Sequence, residues 1–245
     1  MALEVFVTSG GTIAKIDDVR HLGNFSSGTT GSLIAESFLK NNAVVHYVYG
    51  KNAKRPFREA LKMNPKEPKH EELKRLSEAY ETFNKYSPNL HEYSILTFED
   101  YYSSVKKIIR GKKIDVVVLA AAVGDYSYSQ TEGKISSDKD KLTLEFAKNQ
   151  KVISEIKEFN PNIYQVGFKL LSRVSNEELI DTAYKHCLKN NSDMVVANSL
   201  ENGDFSSRKI FLVFPDKRVI SVSQDELADR LVREVSEHYL RNEKN

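Results

Sequence analysis

Cysteine is nearly absent. Cys187 stands alone in 245 residues, which excludes an intrachain disulfide and leads us to expect a reducing, cytoplasmic setting. No apolar run approaches the ~20 residues that a bilayer crossing needs, so no membrane partner is expected. The opening MALEVFVTSGG is too short an apolar run for a secretory leader and lacks a basic lead. The six histidines and one cysteine do not fall into zinc-ligand spacing, so no metal ligands are assigned and any metal should arrive with a ligand. One-sided charge is missing too: 36 basic and 34 acidic side chains leave a formal +2, which argues against a nucleic-acid surface.

What is present suits a globular chain. Hydrophobic residues make up 40%, enough to bury a core; the length fits one α/β domain or two small ones, and a single domain over 1–245 is expected. Short apolar runs read as strands at Leu3–Thr8, Ala43–Val48, Ser94–Thr97, Ile114–Ala122, Leu142–Phe146, Ile163–Phe168 and Met194–Ala197. Helical spacing reads over Gly28–Lys40, Glu99–Ile109, Val152–Phe159, Asn176–Asn190 and Asp225–Leu240. Lys209–Phe214 and Arg218–Val222 flank a PDK turn and read as a C-terminal β-hairpin. From about 51 to 90 the chain turns charged and carries four prolines. Within that excursion Leu73, Leu76, Ala79, Tyr80 and Phe83 form an apolar stripe that has to be buried somewhere, and the lysines read as a solvated face. Alternating strands and helices favour a mostly parallel sheet with helices on both faces.

Ligands of such sheets sit beyond the carboxyl ends of strands, where SGGT, AAAVGDY, GFK and VANS lie. In VTSGGT, Gly10 and Gly11 let backbone N–H groups approach an anion, or simply make a tight turn. SSGTTG, with Ser26, Gly28 and Gly31, precedes a helix whose unpaired N–H groups and dipole suit an anion; Ser26 or Ser27 could equally act as an ordinary cap. Asn24 can orient a carboxylate through its amide, and Arg20 can grip a carboxylate or phosphate. Asp125 is placed to accept from a ribose diol. Lys134 lies in a polar stretch that reads either as a closing flap at about 125–140 or as a solvated loop. Phe168 offers a face for stacking on a base, or packs in the core. His186 and Cys187 adjoin on a helix, so they cannot form a side-by-side nucleophile–base pair.

In order over about residues 5–200, VTSGGT, IDDVRHLGNFSSGTTG, AAAVGDY, GKISS, KNQKVI, GFKLL and DMVVANS resemble the phosphopantothenate–cysteine ligase family, also called phosphopantothenoylcysteine synthetases. The resemblance implies a Rossmann-like fold and a ligase of coenzyme A biosynthesis. A nucleoside triphosphate with Mg2+ activates 4′-phosphopantothenate as an acyl-nucleotidylate, and L-cysteine then displaces the nucleotide. It also implies roles. Asn24 holds the activated carboxyl group and Arg20 shares that pocket. Gly10, Gly11, Ser26, Gly28 and Gly31 surround the nucleotide phosphates. Ala121 and Ala122 bring backbone groups near the nucleotide, Asp125 takes the ribose, and Phe168 and Asn198 line its site. Lys134 sits on a mobile flap and contacts phosphates. A homodimer is implied, with the flap serving the partner's site.

Departures from the family pattern bear on the base. CTP-using bacterial relatives often place two lysines in the helix before the VAN strand. His186 and Asn190 match those positions here, with Lys185 and Lys189 one residue earlier. The length suits the short stand-alone bacterial type, which favours CTP, with ATP open; the 51–90 excursion resembles the longer eukaryotic form. A NAD(P)-dependent Rossmann reductase is a competing reading, weakened by the missing GxGxxG and Tyr-x-x-x-Lys patterns. A non-enzymatic nucleotide-binding protein is another, weakened by Asn24 and Lys134 occurring together.

Overall fold

A computed structural model describes residues 2–138, 140–200 and 209–242. In chain order the first half contains β1 (Glu4–Ser9), β2 (Ile13–Lys15), β3 (His21–Gly23), α1 (Thr29–Lys40), β4 (Val44–Gly50), α2 (Lys69–Tyr86), β5 (Leu90–Ile95), α3 (Phe98–Gly111) and β6 (Val116–Leu119). The second half contains β7 (Tyr126–Tyr128), β8 (Phe146–Lys148), α4 (Ile156–Phe159), β9 (Tyr164–Ser172), α5 (Asn176–Lys189), β10 (Met194–Leu200), β11 (Ile210–Val213), β12 (Val219–Val222) and α6 (Leu227–Asn242).

Eight strands form one sheet in the order β12-β11-β10-β9-β6-β1-β4-β5. The six from β10 to β5 run parallel, and the β11–β12 hairpin is added antiparallel at one edge. Counted along the chain, those six are arranged 3-2-1-4-5-6, so the order reverses between β1 and β6. Helices cover both faces, which explains why β6, VVVL, is buried at every position. Side-chain alternation sorts β1 between the layers: Val5 and Val7 pack with Ile34 and Phe38 of α1 and Leu231 of α6, whereas Phe6 packs with Val105 and Ile108 of α3. Leu179 and Ala183 of α5 close a third cluster over Val195 and Phe211. The start of α3 is fixed by a capping box, in which Thr97 Oγ1 accepts from Asp100 N and the Asp100 carboxylate accepts from Thr97 N.

The structure alters several sequence expectations. The 142–146 run is irregular, and the strand there is instead β8, which pairs with β7. Residues 152–159 form a 3-10 turn over Val152–Ser154 and a single helical turn over Ile156–Phe159 rather than one helix, and Pro161 bars extension beyond them. The excursion stripe is only partly covered: Phe83 packs on the core beside Tyr86, which lies outside the stripe, but Leu73 and Tyr80 are exposed. A polar contact does much of the fastening there. Buried Glu72 takes two bonds from Arg75 at 2.8 and 2.6 Å, and Arg75 also donates to the carbonyls of Ala60 and Lys62 at 2.6 and 2.7 Å. That pair ties the loop before α2 to the helix and holds the Glu72 carboxyl down at about 2. Among the described residues no helix is long and apolar enough to cross a membrane.

Candidate active site

The order reversal between β1 and β6 opens a crevice at their carboxyl ends. The connections after these strands run side by side. Ala122 N donates to Gly10 O at 2.7 Å, Thr8 Oγ1 accepts from Ala121 N at 3.2 Å, and Thr12 Oγ1 accepts from Gly124 N at 3.0 Å. The N–H groups of Ala121 and Ala122 are thus engaged within the protein, and Ala121 lines the cleft. Gly11 is needed for close approach: a Cβ there would lie 2.9 Å from the carbonyl oxygen of Asn24.

The first turn of α1 borders the same crevice. Its N-cap is Gly28 in the left-handed region, φ 73°, and no side chain caps the helix. Neither Ser26 nor Ser27 takes the ordinary capping role; Ser27 Oγ is 3.4 Å from Thr29 N and instead contacts Thr29 Oγ1 at 2.9 Å. No acidic residue stands in the first turn. Thr29 N–H has only the long contact to Ser27 Oγ, and among the described residues no acidic side chain of the first turn offsets the helix dipole, an arrangement that suits an anion. A side chain at Gly28 would strike Ala53 and Ser9, 2.7 and 2.9 Å from its Cβ. Gly31 is buried within the same turn.

Asn24 reaches this crevice from the short β2–β3 hairpin, where its exposed Nδ2 lies 3.5 Å from Val123 O. Arg20 is on the same hairpin and does something the sequence did not reveal. Its Nη2 donates to Ile135 O at 2.8 Å and its Nε lies 3.5 Å from Asp17. Asp17 is 2% exposed and accepts from the N–H groups of Val19, Arg20 and Ile135 at 2.9, 2.7 and 3.1 Å. Burial pushes this carboxyl up, but the three N–H donors and the Arg20 charge prevail and hold it below its ordinary value. The clasp fixes the backbone next to exposed Lys134, and Thr131 N also donates to Ile16 O at 3.0 Å. The hairpin and the 131–135 segment are thus tied together; Lys139 lies outside the described residues.

A cleft of about 160 Å3 extends the crevice and is bordered by Ala121, Asp125, Asn149, Lys151, Phe168 and His186. Asp125 carries an ion pair with Lys151. Asn149 braces the loop through Nδ2 to Gly124 O and its own N–H to Asp125 O, both 2.8 Å. Phe168 is half-buried against the core and borders the cleft. Asn198, on β10, pairs in register with Leu170 and is separated from the β1–β6 crevice by β9. Asn149, Lys151 and His186 were not assigned to the site from sequence, although KNQKVI was visible as a motif. Among the described residues His186 Nδ1 is buried with no partner, and burial, then the charges of Lys169, Lys151 and Lys189, lower its pKa. Of the two positions weighed against the family lysines only His186 meets the cleft. Asn190 is buried and donates back to His186 O at 2.8 Å, as a helix cap. Lys185 is turned to Asp181 at 2.7 Å.

The model of the "DNA/pantothenate metabolism flavoprotein C-terminal domain" family matches residues 2–84 and 78–239. The coenzyme A biosynthesis bifunctional protein CoaBC of Thermococcus kodakarensis is 32% identical over 234 residues, covering 94% of this chain and 50% of that protein. Phosphopantothenate–cysteine ligase 1 of Arabidopsis thaliana is 26% identical over 220 residues, covering 80% and 69%. A crystal structure of the DNA/pantothenate metabolism flavoprotein from Streptococcus pneumoniae superposes with a TM-score of 0.77 at 27% identity, covering 97% of this chain and all of that one. The chain thus spans half the length of the CoaBC protein it matches.

Proposed function

The chain belongs to the DNA/pantothenate metabolism flavoprotein C-terminal domain family, and from that membership we propose that it joins 4′-phosphopantothenate to L-cysteine in coenzyme A biosynthesis. The observation that carries the proposal is the uncapped, acid-free start of α1 beside Gly10 and Gly11, with Asn24 lying against the β6 connection. An anionic nucleotide and an anionic acid have to meet there. The acid's carboxylate oxygen bonds to the α-phosphorus, the α–β bridge breaks, and its electron pair leaves with pyrophosphate. The cysteine amine then attacks the acyl carbon; the acyl C–O bond breaks, the nucleoside monophosphate leaves and the amine gives up a proton.

In this proposal the α1 N-terminus, with Ser26, Gly28 and Gly31, receives phosphate charge, and Asn24 orients the carboxyl group. Asp125, Phe168 and Asn198 belong to the nucleoside, and Lys134 neutralises charge on the departing phosphates. CTP is the proposed nucleotide, with His186 facing the cleft where CTP-using relatives carry lysine; ATP is the alternative that the assay decides. Among the described residues no group of three His, Cys, Asp or Glu side chains converges. Mg2+ would therefore be held chiefly by phosphate oxygens and water, and would spread the triphosphate's charge. A homodimer is part of the proposal. Val19, Leu22 and Tyr126 are more than half exposed and Phe25, next to Asn24, is 96% exposed, so a second copy covering hairpin and flap would also enclose the site. A cytoplasmic location agrees with Cys187 being a buried thiol.

The test is pyrophosphate release with phosphopantothenate, measured separately with CTP and ATP before cysteine is added, then monophosphate release on its addition. No pyrophosphate with either nucleotide refutes the proposal. Thermal stabilisation by NADPH, but by neither triphosphate, would favour a reductase.

A further inference from the structure

The connection after β4 forms a basic cup that the ligase reading leaves without a role. It is an open cavity of about 450 Å3 bordered by Tyr49, Lys51, Lys54, Arg55, Arg58 and Lys62. Two carboxylates offset these five cations. Glu59 lies 3.8 Å from Lys54 and 2.6 Å from Lys62, and Glu92 lies 3.9 Å from Arg55 and 3.3 Å from Arg58. Lys51 forms no ion pair among the described residues. Three positive charges remain in excess. Lysines spread over a helix exterior are explained by solvation; cations gathered round a concave loop are not.

Several features hold the cup in shape. Phe57 has φ 61°, a left-handed conformation that strains a bulky residue. Its ring is 5% exposed and stacks on Tyr86 with centroids 5.4 Å apart, and its N–H donates to Glu36 at 2.8 Å. This anchor sets Arg55 and Arg58 on either side of a fixed point. Arg58 lies over the Phe83 ring at 4.1 Å, and among the described residues its Nε is buried with no partner. The cup is also continuous with the start of α1. Lys54 N donates to Ser27 O at 2.9 Å, Tyr47 Oη donates to Lys54 O at 2.7 Å, and the Ala53 methyl stands against Gly10 and Gly28.

We propose that this cup is the subsite for the terminal phosphates of the nucleoside triphosphate and holds pyrophosphate as the α–β bond breaks. The proposal rests on the ligase reading. A chain of phosphates lying on the α1 N-terminus runs directly into the cup, because both share Ala53 and Lys54. Its charge also fits. A phosphate monoester, such as the one on the acid substrate, carries only about −1.5 to −2, short of the cup's excess; a pyrophosphate group carries more. The cations would stabilise the electron pair that the leaving pyrophosphate takes, where solvent would otherwise have to reorganise.

Calorimetry with inorganic pyrophosphate, and separately with phosphopantothenate, tests this on the wild type, Lys51→Gln and the double variant Lys51→Gln/Arg55→Gln. Lys51 pairs with no carboxylate among the described residues, so the single variant should keep the wild-type melting temperature. Pyrophosphate binding is expected to weaken about tenfold in the single variant and on the order of a hundredfold in the double one, the scale of lost charge-assisted bonds, with phosphopantothenate binding unchanged. Pyrophosphate binding at wild-type strength in both variants overturns the proposal. So does a loss confined to phosphopantothenate, which would make the cup a monoester site. Normal ligation with an unaltered pyrophosphate inhibition constant in the variants removes the cup and leaves the ligase reading intact. No ligation by the wild type, with pyrophosphate binding lost in the variants, removes that reading and keeps a polyphosphate cup.

Discussion

Replacing Gly28 with alanine tests the step from backbone geometry to anion site. The residue is the N-cap of α1 with φ 73°, and an L side chain in that region costs roughly 1–2 kcal/mol. The added Cβ would stand 2.7 Å from Ala53 Cβ and 2.9 Å from Ser9 Oγ. Neither neighbour is a long side chain that can swing away. Ser9 Oγ donates to Gly28 O at 3.0 Å in a buried bond, worth about 1 kcal/mol if the turn shifts. Together these give a loss of about 2–4 kcal/mol, or roughly 4–16 °C in melting temperature for a chain of this size. Gly111→Ala is the internal control. A Cβ there meets nothing within 4 Å, and alanine is the better helix former by about 1 kcal/mol, so this variant should melt no lower than wild type. If Gly28→Ala folds at all, the displaced first turn should also raise the nucleotide KM in the pyrophosphate assay. Melting within a degree of wild type, with an unchanged nucleotide KM, would refute the reasoning.

Asn24→Asp should remain folded but form little product, since it puts a like charge beside the acid's carboxylate; turnover at the wild-type rate would sink the assignment. Lys134→Gln should slow single-turnover pyrophosphate release by about 2–4 kcal/mol, more than it weakens nucleotide binding, by analogy with removing a preorganised charge. Because the clasp uses the Ile135 backbone and not the Lys134 side chain, its melting temperature should hold; a saturated mutant reacting normally would make Lys134 a binding residue only. Acid should destabilise the protein in two stages, because His46, His186, Asp17 and Glu72 all have folded pKa values below their unfolded ones. Each contributes stability above its unfolded value that is lost as pH falls, the histidines from about 6.5 and Glu72 between 4.5 and about 2. A urea midpoint unchanged through both ranges would contradict this. Sedimentation at micromolar concentration should show a dimer, and a monomer alone would contradict it.

The parts of the fold legible in sequence are those whose burial is simple. β6 is apolar throughout because helices cover both its faces, and α3 shows a one-sided apolar stripe beginning at a Thr–x–x–Asp cap. The β2–β3 hairpin was invisible because three-residue strands carry no periodicity, and IAKIDDVRHLG looks like charged loop. Chemistry-bearing loops could be placed after strands, so Gly10, Gly11, Ala121 and Ala122 meet as the strand order requires. What could not be read is contact across long separations. Asp17 and Ile135 are 118 positions apart, and neither residue type signals a clasp by itself. By composition the basic run after β4 reads as solvated, since composition cannot distinguish a convex charged face from a concave one; the Phe57 anchor and the link to Ser27 make the difference.

The Asp17 clasp also bears on what Arg20 can do. A guanidinium has five N–H donors in a fixed fork, and the clasp uses Nη2 for Ile135 and places Nε near Asp17. The Nη1 edge is left over, and the side chain is 37% exposed. One residue can therefore hold the flap backbone and still present donors to an anion. Lysine, a single point charge without the fork, could not do both. Buried Asp17 makes this arrangement stable because it fixes the hairpin's N–H groups and the flap's at once. The sheet's crevice supplies a rigid wall, and the hairpin and flap form a second wall joined through one carboxylate. Any displacement of that second wall would then carry Asn24, Arg20 and Lys134 together rather than Lys134 alone.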